Sequence, residues 1–105
     1  MCETRPLSNN EETVVSYCVH CDTIYLWHNN LLLTFNPEEF SAFHAALNRM
    51  EFEECCLLFP DYIERLIMHS PVHNVRFTFT ASEWKQLKQA VEDALLMQQV
   101  YDCIR

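Results

Sequence analysis

Apolar positions along this chain change period in a fixed order, twice over. Leu31, Leu33 and Phe35 alternate with Leu32 and Thr34, and Val75, Phe77 and Phe79 alternate with Arg76 and Thr78, which is the two-residue period of a half-buried strand. Directly afterwards Phe40, Phe43, Leu47 and Met50, and in the second instance Trp84, Leu87, Val91 and Ala94, recur at helical spacing. Each strand therefore leads into an amphipathic helix. Asn36 and Thr80 stand at the junctions, each followed three positions later by a Glu, Glu39 or Glu83. That spacing predicts a capping box that satisfies the orphan amides of each helix start, and Pro37 suits a first helical position.

The two instances are related by a constant offset of 44, which brings Thr34, Phe35, Glu39 and Phe40 onto Thr78, Phe79, Glu83 and Trp84. Upstream, an offset of 41 lays Val14 to His28 over Cys55 to His69. Val14 to Tyr17 and Thr23 to His28 are rich in β-branched and aromatic residues and read as two more strands. Their counterparts are Cys55 to Leu58 and Ile63 to His69, although Pro60 to Leu66 fits the start of a short helix equally well. The expected class is α+β: a strand-strand-strand-helix unit used twice, at residues 13–50 and 55–103, with both helices packed on antiparallel sheet. Neither unit has the apolar area to stand alone, so residues 1–105 are expected to share one core as a single domain. Residues 1–12, with Pro6, Ser8, Asn9 and Asn10, read as a flexible tail.

The last helix carries more apolar residues than one stripe needs: Leu95, Leu96, Met97, Val100, Tyr101, Cys103 and Ile104 follow Ala94. The surplus predicts a second contact, with the N-terminal segment or with another subunit in a homodimer. An apolar and aromatic content of 50% is enough for a folded core.

Charge narrows the partners. The formal net charge is -8, with nine acids against Arg5 and Arg49 in residues 1–54, so a phosphate backbone is repelled and nucleic acid is not an expected partner. The acidic half is either a solvated face or a docking surface for a basic protein partner. No stretch approaches the roughly 18 apolar residues of a membrane span, and no basic start leads into an apolar run. A cytoplasmic protein with reduced cysteines is the expectation. Glycine is absent, which excludes the glycine-rich phosphate loops and dinucleotide fingerprints.

One motif carries chemistry, Cys18-Val-His-Cys21. Two thiolates at this spacing in a hairpin turn can share a tetrahedral zinc. Cys2 is the best-placed third ligand, on a segment long enough to fold back. His28 lies too far along its strand, and Cys55 and Cys56 would face opposite sides of theirs. No second Cys-x-x-Cys or His pair completes the site, so ordinary buried or partly exposed thiols are the first reading and zinc the second, and a thioredoxin-like dithiol is disfavoured because strand, not helix, follows Cys21. His28 and His69 fall at matching strand ends, where they either line a shared pocket or lie on the surface. Glu51, Glu53 and Glu54 read as a solvated linker.

Met1-Cys2, the Tyr17-Cys-x-x-Cys21 turn and the Leu-x-Phe-x-Pro-Glu-Glu-Phe run at residues 33–40 together resemble a family of short bacterial proteins of unknown function. The resemblance implies no activity, cofactor or catalytic residue. The expected function is accordingly a non-enzymatic small binding or interaction protein, for which a structural zinc at the Cys-x-x-Cys turn is an optional addition and not a requirement. The alternative is a small-molecule sensor or enzyme whose pocket lies between the two repeats.

Overall fold

The computed structural model describes residues 3–104. Its elements run β1 (Thr4–Asn10), β2 (Thr13–Cys18), β3 (Thr23–His28), β4 (Leu31–Phe35), α1 (Pro37–Asn48), α2 (Phe52–Cys55), β5 (Cys56–Leu58), β6 (Glu64–His69), β7 (Arg76–Phe79) and α3 (Ala81–Cys103). The class is α+β. Two antiparallel sheets, ordered β1-β2-β3-β4 and β5-β6-β7, are joined by the helices, and the order strand-strand-strand-helix occurs twice. Both capping boxes form, with Asn36 and Glu39 bonded reciprocally at α1 and Thr80 and Glu83 at α3.

The N-terminal segment departs from the expected tail. Residues 4–10 form β1, paired along β2 with a bulge between Pro6 and Ser8. Leu7 is buried and anchors the strand. The Ser8 hydroxyl donates to the Ala90 carbonyl at 2.8 Å, the Tyr101 hydroxyl to the Pro6 carbonyl at 3.4 Å, and the Arg5 guanidinium lies 4.9 Å from the Tyr101 ring centre. The N-terminal segment thus meets part of the surplus face of α3, while Leu96, Met97, Val100 and Ile104 stay exposed.

The choice at residues 60–69 falls to strand. Tyr62 takes a left-handed φ of 64°, and the Asp61 carboxylate accepts from the Ile63 amide at 3.1 Å, so the chain turns there and enters β6. With no Gly in the sequence, the other left-handed turn positions are held by Glu11, Asp22 and Asn29. The strand pairing does not keep the expected upstream offset of 41. Ile24 pairs with Phe35 and Leu26 with Leu33, whereas Leu66 pairs with Phe79 and Met68 with Phe77. Ile24 therefore corresponds to Leu66, an offset of 42. A one-residue slip reverses every side chain on a strand, so His28 and His69 are not equivalent: His28 is buried and His69 exposed.

A single apolar cluster joins Val15, Ile24 and Leu26 of the larger sheet to Leu66, Met68 and Phe79 of the smaller one. Phe40 and Leu47 enter it from α1, and Trp84, Leu87 and Val91 from α3.

Candidate functional site

The helix stripe read from the sequence divides in space. Phe40 and Leu47 are buried in the core, while Phe43 and Met50 are only partly buried and face a groove. Ala42 and Ala46 lie between them on the same side of α1 and leave the space that larger residues would fill. The groove encloses about 700 Å³, within the roughly 300–1,000 Å³ range of ligand sites. Leu33, Thr34 and Phe35 of β4 form one wall, and Met68 of β6, Phe77 of β7 and the Ser70-Pro71 turn between those strands form the other. Phe35 is fixed by its neighbours, 5.5 Å edge-on to Phe40 and 5.0 Å from Phe43 between ring centres.

Few polar groups enter this lining. Glu39 spends its carboxylate on the Asn36 amide at 2.9 Å. The Ser70 hydroxyl lies 2.6 Å from the Val75 carbonyl and accepts from the Val72 amide at 3.1 Å, which holds the β6–β7 turn. Thr34 and His69 are the other polar side chains at the groove. Its chemistry is that of apolar burial with sparse polar orientation.

The candidate zinc ligands are placed differently. Cys18 ends β2 and is buried, Cys21 is exposed in the following turn, and Cys2 lies outside the described residues. Among the described residues no group of three or more His, Cys, Asp or Glu is arranged to hold a metal ion. Glu51, Glu53 and Glu54 are exposed around α2. Among the described residues no helix is long and apolar enough to cross a membrane.

Sequence reading missed a buried polar line under the start of α3. Thr13 Oγ1 and His28 Nδ1 share a 2.9 Å hydrogen bond, and His28 Nε2 lies 4.0 Å from Glu83 Oε2. The order resembles a catalytic Thr-His-Glu grouping, but Thr13 has no exposed surface and Glu83 closes the Thr80 cap. The line is structural. Thr13→Val, which leaves His28 Nδ1 buried without its partner, is expected to cost about 1–3 kcal/mol. Adding His28→Leu should recover much of that loss. Urea unfolding of the two single variants and the double variant checks the coupling, and strictly additive costs would remove it.

A second polar contact ties the helices at the surface. His44 Nε2 lies 2.5 Å from Glu92 Oε1, and this hydrogen bond holds the Glu92 carboxyl below the usual Glu range.

A family model described as "Family of unknown function (DUF6686)" matches residues 1–94. No curated protein and no solved structure matches the chain.

Proposed function

Because the chain belongs to this family of unknown function, which supplies no activity to build on, we propose from its own geometry that it is a non-enzymatic binding module whose site is the groove between the repeats. The observation that carries the reading is the apolar space of about 700 Å³ between α1 with β4 on one side and β6 with β7 on the other. Leu33, Phe35, Phe43, Met50, Met68 and Phe77 supply apolar walls from both repeats. Burial of an apolar ligand there releases both ligand and walls from water at about 25 cal/mol per Å². The site is built by the repeats together, where the sequence placed a pocket as the alternative to a zinc-bearing interaction protein.

Titration with the uncharged fluorophore N-phenylnaphthylamine tests the reading. The natural chain should bind it saturably with enhanced emission. Ala46→Trp fills the groove from α1 and should abolish the enhancement while the thermal midpoint holds. Equal enhancement in both proteins, or none in either, overturns the assignment.

A further inference from the structure

The four sheet edges are not alike. An exposed edge invites pairing with another strand and is normally blunted by proline, charge, a bulge or brevity. On the larger sheet, β1 carries Arg5, Pro6 and a bulge. On the smaller sheet, β5 has only three residues, and the four-residue β7 opens on Arg76. The remaining edge, β4, is Leu-Leu-Leu-Thr-Phe with no such device. Three consecutive residues of this strand, Leu33, Thr34 and Phe35, line the groove. Because neighbouring side chains point to opposite faces, the groove must run along the edge of β4 and not merely over one face.

The backbone groups available there can be identified. The Asn29 amide donates to the Glu12 carbonyl at 3.2 Å, which makes Thr13 and His28 a non-bonded pair in the β2–β3 ladder. Alternation along β3 then directs Ile24, Leu26 and His28 toward β4, where they bond Phe35, Leu33 and Leu31. The amides and carbonyls of Leu32 and Thr34 consequently point outward from the sheet, on the groove side.

The repeat supplies a precedent for what lies against such a helix. At the offset of 44, Ala46 and Met50 of the first unit correspond to Ala90 and Ala94 of the second. Ala90 and Ala94 are fully buried, and β1 lies against their helix with Ser8 bonded to the Ala90 carbonyl. The corresponding positions of the first unit, Ala46 on α1 and Met50 just beyond it, are only partly buried and line the groove.

We propose that the groove takes an extended peptide which pairs with Leu32 and Thr34 as a fifth strand of the larger sheet. Alternate apolar side chains of the peptide enter toward Ala42 and Ala46, and basic residues flank them. Main-chain pairing supplies affinity and the alternating pockets supply selectivity, the logic of strand addition. Basic flanks complement Glu39 in the lining and the net charge of -8. The far wall of Met68, Phe77 and Pro71 encloses the space beyond the edge. A single strand is the occupant proposed, and a second copy is an outcome of the test. The inference rests on the groove being the binding site.

The test uses a fluorescein-labelled peptide, Lys-Val-Thr-Val-Thr-Val-Lys, followed by anisotropy. Saturable binding is expected. The same peptide N-methylated at alternate residues on its pairing edge keeps its side chains but loses main-chain donors, and should bind roughly tenfold or more weakly. Thr34→Pro is tolerated where an edge amide faces outward, and should weaken the unmethylated peptide by removing an outward donor, while the methylated peptide on the natural chain tests the same loss with the groove lining untouched. Should Thr34→Pro fail to fold, the methylated peptide on the natural chain decides alone. Equal binding of both peptides, or fluorophore binding without peptide binding, overturns strand addition while sparing the groove. Binding of neither overturns both. A natural-chain dimer dissociated by Thr34→Pro assigns the edge to a second copy and also overturns the proposal.

Discussion

Phe40→Ala is expected to destabilise the whole molecule by about 3–5 kcal/mol, and Trp84→Ala by a similar amount. Phe40 and Trp84 occupy corresponding first turns of α1 and α3, are almost fully buried, and belong to one apolar cluster that draws on both sheets. Total stability of a domain this size is about 5–15 kcal/mol, so either variant should lower the thermal midpoint by about 15 °C or more. Because the cluster is continuous, each variant should shift one cooperative urea transition to lower midpoint without splitting it. Two transitions, with only one displaced by Phe40→Ala, would mean that the units fold separately. Binding separates the two variants further. Phe40 supports the Phe35 ring at 5.5 Å, and Phe35 lines the groove. Trp84 instead contacts Phe79 at 5.8 Å, away from that lining. Phe40→Ala should weaken N-phenylnaphthylamine binding beyond its loss of stability, whereas Trp84→Ala should bind normally while folded.

The helices and the strands entering them were legible because several local signals agree at the same residues. At Asn36 and Thr80, the cap residue, the Glu three places on, the preceding alternation and the following stripe all point to one boundary. The β6 register was not legible. The offset of 41 aligns His28 with His69, but cross-strand pairing to Phe77 and Phe79 places Met68 and Leu66 inward instead. Both faces of β6 carry apolar residues, with Ile67 opposite Leu66 and Met68, so alternation alone could not choose. The groove was hidden for a related reason. Phe43 and Met50 fit the helix stripe as well as Phe40 and Leu47 do, and periodicity says nothing about whether neighbouring Ala42 and Ala46 are covered. The buried Thr13–His28 bond joins adjacent strands across fifteen residues of sequence, and nothing in the spacing of those two residues announces it.

Removal of residues 1–10 is expected to exceed either core substitution in effect, although that segment has the composition of a tail. Only Leu7 of β1 is buried, so no apolar alternation marks the strand, and its placement depends on partners distant in sequence. Leu7→Ala alone should cost about 2–5 kcal/mol. Truncation adds the loss of the β1–β2 ladder, the Ser8 bond to Ala90 and the Tyr101 bond to Pro6. It also uncovers Val15 and the small-residue face of α3 at Ala90 and Ala94, now fully buried. The shortened chain should keep helical far-UV signal from α3 but lose its near-UV signal and its cooperative urea transition. A truncated chain that melts within a few degrees of the natural one would show that β1 contributes little. A synthetic peptide of residues 1–10 added in trans should restore the near-UV signal at saturating concentration, because β2 then presents an unpaired edge beside an apolar helix face. That is the same combination β4 and α1 present at the groove, where apolar burial fixes the side chains and the open ladder fixes the register. Rescue by the peptide would therefore show that this fold can capture a free strand at a sheet edge beneath one of its helices, independently of which peptide occupies the groove.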